Sequence, residues 1–155
     1  MIEVGQKAPD FTLYDTDKKP VSLGSYKGRK VVLLFFPMAF TSVCTTELCS
    51  VRDDIERYDN LNAAVLGISV DSVFTLAKFK EEQQLNFPLL SDFNKEVSTN
   101  YGALYENFAF DMKGVSKRAA FVINEDGIVK HEEVLENAGN VPDFQAIQTA
   151  LSAIV

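Results

Sequence analysis

Two uninterrupted apolar runs, "VVLLFF" at 31–36 and "AAVLGISV" at 63–70, constrain this chain more than any other feature. A strand with one wet face alternates apolar and polar residues. These runs do not alternate, so each is predicted to be a strand covered on both faces. Pro37 ends the first. Residues 43–61 then repeat with a helical period, as Leu48, Val51, Ile55 and Tyr58 follow Cys44 at spacings of three and four. Buried strand, helix, buried strand is the pattern of a layered α/β sheet.

The rest of the chain extends this order. "FTLYDTDKKPVSL" alternates around a polar turn and predicts an N-terminal β-hairpin. After the second run, Asp71 or Ser72 is placed to cap a helix over "VFTLAKFKEEQQL". "FPLLSD" reads as a short extended piece and "NKEVSTNYG" as a short helix closed by Gly102. "RAAFVI" (118–123) and "GIVKHEEV" (127–134) flank the turn "NEDG" as a second hairpin, and Pro142 opens a final helix. The expected fold is α/β and thioredoxin-like: a mixed central sheet flanked by helices, in one domain over 1–155. In such sheets chemistry gathers at the carboxyl ends of the parallel strands, where helices begin.

Charge and length narrow the function. The chain has 155 residues, 46% of them hydrophobic, enough for one core. Its formal charge of -7 repels phosphate backbones and anionic membranes, and no Lys/Arg cluster offsets it, so no nucleic acid or membrane partner is expected. No apolar stretch near the start is long enough to span a bilayer, and "MIEVGQKAPDF" lacks the pattern of a signal peptide. The expected compartment is the cytoplasm, where a cysteine pair tends to be redox-active rather than a staple.

Both cysteines, Cys44 and Cys49, lie in "PMAFTSVCTTELCS" (37–50). On a helical wheel Cys44 shares the core face in the first turn, whereas Cys49 falls roughly 140° away beside Thr45, Asp53 and Glu56. A thiol in the first turn meets unpaired N–H groups and the positive end of the helix dipole, which favours its thiolate. Cys44 is therefore the candidate nucleophile. In an intact helix the two Cα atoms would stand about 8.5 Å apart. Disulfides need about 7 Å or less, so a bond between them requires the first turn to unwind. Two cysteines and one histidine, His131, are too few for the usual structural zinc site. No metal or other cofactor is expected.

"PMAFTSVC" fits the P-x-x-x-T-x-x-C signature of the peroxiredoxins, thiol peroxidases of thioredoxin-like fold. The resemblance runs in order through "GQKAPDFTL", "VVLLFFP", "ISVDS", "FPLLSD", "YGALYE" and "SKRAAFVINEDGIV". Within the family the chain is similar to the small alkyl hydroperoxide reductase E-like and bacterioferritin-comigratory-like members. It departs from the large two-cysteine members, which often carry proline after the nucleophile, where this chain has Thr45.

The resemblance implies a reaction and its parts. Cys44 attacks hydrogen peroxide or an organic hydroperoxide and becomes a sulfenic acid. Arg118 stands beside the sulfur, the Thr41 hydroxyl accepts from the peroxide and donates to the developing charge, Pro37 shields the thiolate, and the N–H groups of Val43 and Cys44 complete a cradle. Glu47 orients Arg118. Cys49 resolves the sulfenic acid and a thioredoxin- or glutaredoxin-like partner reduces the disulfide; otherwise an external thiol takes that step. Phe40, Phe108, Phe110 and Met112 are candidates for an apolar rim or a homodimer contact.

The same residues admit plainer roles: Cys49 as a tolerated thiol, Thr41 as a helix cap, Glu47 as a dipole partner, Arg118 as an ion-pair residue. His131 reads as structural or solvent-facing, and Asp53 and Asp54 as a solvated face. Two other functions remain open, a thiol–disulfide oxidoreductase on the same fold and a redox sensor or holdase.

Overall fold

The computed structural model describes residues 1–154. Its main sheet has seven strands. The N-terminal hairpin is β1 (Thr12–Asp15) and β2 (Pro20–Ser22). The first apolar run is β3 (Lys30–Phe35), followed by helices α1 (Ser42–Asp53) and α2 (Ile55–Asn60). Next come β4 (Ala63–Ser69), α3 (Val73–Gln83), β5 (Leu89–Ser91) and α4 (Glu96–Asn100). A two-residue pair, β6 (Leu104–Tyr105) and β7 (Val115–Ser116), precedes the second hairpin, β8 (Arg118–Ile123) and β9 (Val129–Leu135). Helix α5 (Phe144–Ala153) follows. The sheet order is β2-β1-β5-β4-β3-β8-β9, with β3, β4 and β5 parallel and β1 and β8 antiparallel to their neighbours. Among the described residues no helix is long and apolar enough to cross a membrane.

Strand β3 explains the two-sided core. Val32 and Leu34, with Phe36 beyond the strand, pack with Leu48, Tyr58, Phe79 and Ile147 of the helices on one face. Val31, Leu33 and Phe35 point the other way, against Tyr101, Phe121 and Ile68. Each successive side chain meets a different layer, so every position must be apolar.

Two sequence expectations need correction. The helix read over 43–61 is two helices, broken at Asp54, whose N–H donates back to the Val51 carbonyl at 3.1 Å. Aspartate's weak helix preference is the only local cause in the sequence, and Tyr58 stays on the buried side despite the break. The last helix begins after Asp143, which caps it by accepting from Ala146 N at 3.0 Å, rather than at Pro142. The pair β6–β7 was not anticipated, because two-residue strands carry no periodicity. Of the two caps considered for α3, Ser72 is the one used, accepting from Thr75 N at 3.1 Å.

Asp71 instead holds the loop between β3 and α1. Its Oδ2 accepts from Ala39 N at 2.8 Å and from Ser69 Oγ at 2.6 Å. The next residue, Phe40, has a left-handed φ of 66°, which costs a non-glycine residue on the order of 1 kcal/mol. That conformation turns the chain from strand into helix, and the Phe40 ring leans edge-on against Phe79 at 5.2 Å. Removing the Asp71 carboxylate frees a strained turn. Asp71→Ala is expected to lower unfolding stability by about 2 kcal/mol, the scale for losing bonds to a charged acceptor, as read by urea denaturation.

Candidate active site

Strand register brings the site together. Phe35 at the end of β3 pairs with Ala119, and β8 runs antiparallel, so Arg118 lies one residue beyond the carboxyl end of β3. Cys44, in the first turn of α1, is delivered to the same end through Pro37 and the Phe40 turn. Residues 74 apart in sequence therefore meet, with Arg118 Nη1 donating to Cys44 Sγ at 3.3 Å.

Arg118 is 2% exposed. The same Nη1 donates to Glu47 Oε1 at 2.7 Å, while Nε and Nη2 both donate to the Ala138 carbonyl, at 3.2 and 2.8 Å. Burial works against the guanidinium charge, but Cys44 and Glu47 more than offset it and hold the group protonated. Glu47 is also buried, one turn along α1, and its Oε2 has no partner among the described residues. Burial pushes its pKa up from 4.5 to about 7, against the pull of Arg118.

Thr41 precedes α1 with extended backbone but does not cap it. Its Oγ1 donates to the Met38 carbonyl at 2.7 Å, which leaves the hydroxyl lone pairs as acceptors. The sequence-based expectation that this hydroxyl could also donate to a developing charge is corrected by that bond. The first helical bond runs from Thr45 N to the Thr41 carbonyl, so the N–H groups of Val43 and Cys44 precede it. Pro37, Met38, Thr41, Ser42, Val43, Cys44, Phe108, Arg118, Ala138 and Gly139 line a pocket of about 250 Å³. Its space suits a small substrate more than a bulky one.

The apolar rim is smaller than expected. Only Phe108 lines the pocket; Phe40 leans on Phe79, Phe110 is 94% exposed, and Met112 is half-buried away from the lining. Cys49 also departs from its expected polar face. It is half-buried, packs against the core, and donates from Sγ to Gln83 Oε1 at 3.4 Å. The wheel takes no account of α3, whose last residue covers that side, with Arg52 Nη1 also reaching the Gln83 carbonyl. His131 pairs with Val122 across β8 and β9 and is half-buried, with Nε2 enclosed and unpartnered among the described residues. Asp53 and Asp54 pair with Arg52 and Arg57 at the surface, as expected. The Ala138 carbonyl was missed, since a backbone acceptor leaves no mark in the sequence.

Residues 4–132 match the model of the AhpC/TSA family. The chain belongs to that family. This peroxiredoxin is 38% identical over 157 residues to alkyl hydroperoxide reductase E of Mycobacterium tuberculosis, covering 99% of both chains. Its structure matches that of peroxidoxin BcpB from Mycobacterium tuberculosis with a TM-score of 0.88, at 30% identity over 100% of this chain and 99% of the other. It also matches the reduced 2-Cys peroxiredoxin of Plasmodium vivax at 0.85, again 30% identical, over 99% of this chain and 82% of that one. The activity is thiol-dependent reduction of peroxide.

Glu47 makes stability depend on pH. A carboxyl whose folded pKa is raised binds its proton more tightly when folded, so its contribution is complete below about 4.5 and is lost as pH rises through about 7. Glu47→Gln keeps an acceptor for Arg118 without the ionisation. The parent is expected to lose melting temperature relative to this variant between pH 4.5 and 7, and a constant difference across that range contradicts the assignment.

Proposed function

We propose that Cys44 is the peroxidatic nucleophile and that Arg118, Thr41 and Pro37 form the machinery around it. The contact between Arg118 Nη1 and Cys44 Sγ carries this reading. The thiolate attacks the terminal oxygen of a hydroperoxide, the O–O bond breaks, and Cys44 becomes a sulfenic acid. The leaving alkoxide or hydroxide takes a proton from solvent. Arg118 offsets the negative charge spread over sulfur and oxygen, and its planar fork keeps that charge in a fixed direction. Thr41 Oγ1 accepts from the peroxide O–H, since its own hydrogen is committed to Met38. The N–H groups of Val43 and Cys44 face the same charge. Buried Pro37 keeps water from the sulfur and Glu47 steadies Arg118.

Cys49 then attacks the Cys44 sulfur, water leaves, and a disulfide forms. Because α1 is continuous from Ser42 to Asp53, this step needs its first turns to unwind and the Cys49–Gln83 contact to break. A thioredoxin- or glutaredoxin-like dithiol restores both thiols. The half-buried position of Cys49 against α3 favours a second route, in which an external thiol attacks the sulfenic acid directly. Hydrogen peroxide and small organic hydroperoxides fit the pocket, the whole chain acts as one domain, and the cytoplasm suits a cysteine pair that cannot be a permanent staple. A homodimer is proposed on the exposure of Phe40 and Phe110.

Intact mass after one equivalent of hydrogen peroxide, without reductant, separates the routes. The parent is expected to lose two hydrogens, while Cys49→Ser gains one oxygen. Oxygen gain in both proteins establishes external resolution. Reaction in neither, with Cys44 intact, overturns the nucleophile assignment.

A further inference from the structure

Two of the four hydrogen bonds made by the Arg118 guanidinium end on one backbone atom, the Ala138 carbonyl, and that atom sits in the loop between β9 and α5. A carbonyl on a loop aims a buried side chain only as well as the loop itself is held. Within the loop Asn137 makes local turns, accepting at Oδ1 from Gly139 N at 2.8 Å and at its carbonyl from Asn140 N at 3.1 Å. These shape the loop without attaching it to the rest of the fold.

Ahead of Ala138 the attachment comes from Tyr105 and Lys117, and behind it Asp143 N donates to Glu133 Oε1 at 2.9 Å. Tyr105 Oη donates to the Glu136 carbonyl at 2.8 Å, with the Leu135 carbonyl at 3.3 Å. Lys117 Nζ bonds Glu136 Oε1 at 2.8 Å, but that carboxylate is 79% exposed and such surface pairs hold weakly. The Tyr105 hydroxyl is the better tether. Burial and the nearby Glu136 push its pKa up, so it keeps the proton it donates. Its β6 backbone is paired with β7 immediately before Arg118, and its ring lies 5.2 Å from that of Phe108, the aromatic wall of the pocket. Tyr105 therefore joins the β6–β7 pair, which leads into β8 two residues later, to the loop that orients Arg118.

We infer that Tyr105 is a positioning residue for peroxide reduction, its hydroxyl fixing the 136–140 loop so that the Ala138 carbonyl aims Arg118 at Cys44. This rests on the role proposed for Arg118. The hydroxyl touches no reacting atom and acts only through the guanidinium. Nothing about the residue type suggests it, because a tyrosine on a two-residue strand reads as packing.

Tyr105→Phe tests the hydroxyl alone, since the ring against Phe108 remains. Its second-order rate constant with hydrogen peroxide is expected to fall about tenfold, with a melting temperature close to that of the parent. In ¹H–¹⁵N spectra the Arg118 Nε–H is expected to exchange with water faster than in the parent, a change that a purely structural tyrosine would not produce. In an Arg118→Met background the same substitution should change the rate less than twofold, because the residue through which it acts is gone. A rate for Tyr105→Phe within twofold of the parent overturns the inference, as does a tenfold loss that persists beside Arg118→Met. If Arg118→Met itself reacts at the parent's rate, the proposed role of Arg118 fails and the inference falls with it; a slow Arg118→Met beside an unimpaired Tyr105→Phe overturns the inference alone.

Discussion

A single buried cation, the guanidinium of Arg118, ties together the parts of this molecule that matter for its chemistry. Through it β8 meets the first turns of α1 and the loop after β9. Removing a guanidinium from water costs several kcal/mol, and a mutual ion pair in the interior often fails to recover it. Here the charge faces a thiol, a carboxylate and a carbonyl at once, and these take four of its five N–H groups. Stability is a poor reason to keep such a group. In the proposed reaction, a fixed positive charge beside a sulfur that develops and spreads negative charge is a better one.

Glu47 sharpens this point. It shares Nη1 with Cys44, and its second oxygen has no donor among the described residues. An ionised Glu47 competes with the sulfur for the same charge, whereas a protonated one leaves that charge to Cys44. Burial pushes its pKa to about 7, so both forms are present near neutrality. The arrangement trades folding stability for a cation whose direction is set from two sides.

Much of this was legible in the sequence because it is local. The runs at 31–36 and 63–70 specify buried strands at once, since no alternation means no wet face. Cys44 stands out as a candidate nucleophile from its place at a strand-to-helix turn, whereas the roles of Thr41 and Pro37 are implied only by the family resemblance of that eight-residue stretch. Arg118 was reached only through family resemblance, as no spacing argument links residues 74 apart. What the sequence concealed depends on tertiary contact. The environment of Cys49 is set by α3 lying over it, which a wheel drawn on α1 alone omits. The lost donor of Thr41 depends on where the Met38 carbonyl points, and the aim of Arg118 depends on a backbone atom of Ala138. Backbone acceptors and covering helices leave no residue-type signal.

The central claim is that Arg118 acts on the peroxide transition state and not merely on the availability of the thiolate. Comparing two rates on Cys44 tests it directly: reaction with hydrogen peroxide and alkylation by iodoacetamide, in a Cys49→Ser background with and without Arg118→Met. Alkylation needs a thiolate but involves no O–O bond. The account predicts that Arg118→Met slows the peroxide reaction by roughly 10³-fold and alkylation by less than tenfold. Equal loss in both reactions, or no loss in the first, would contradict it.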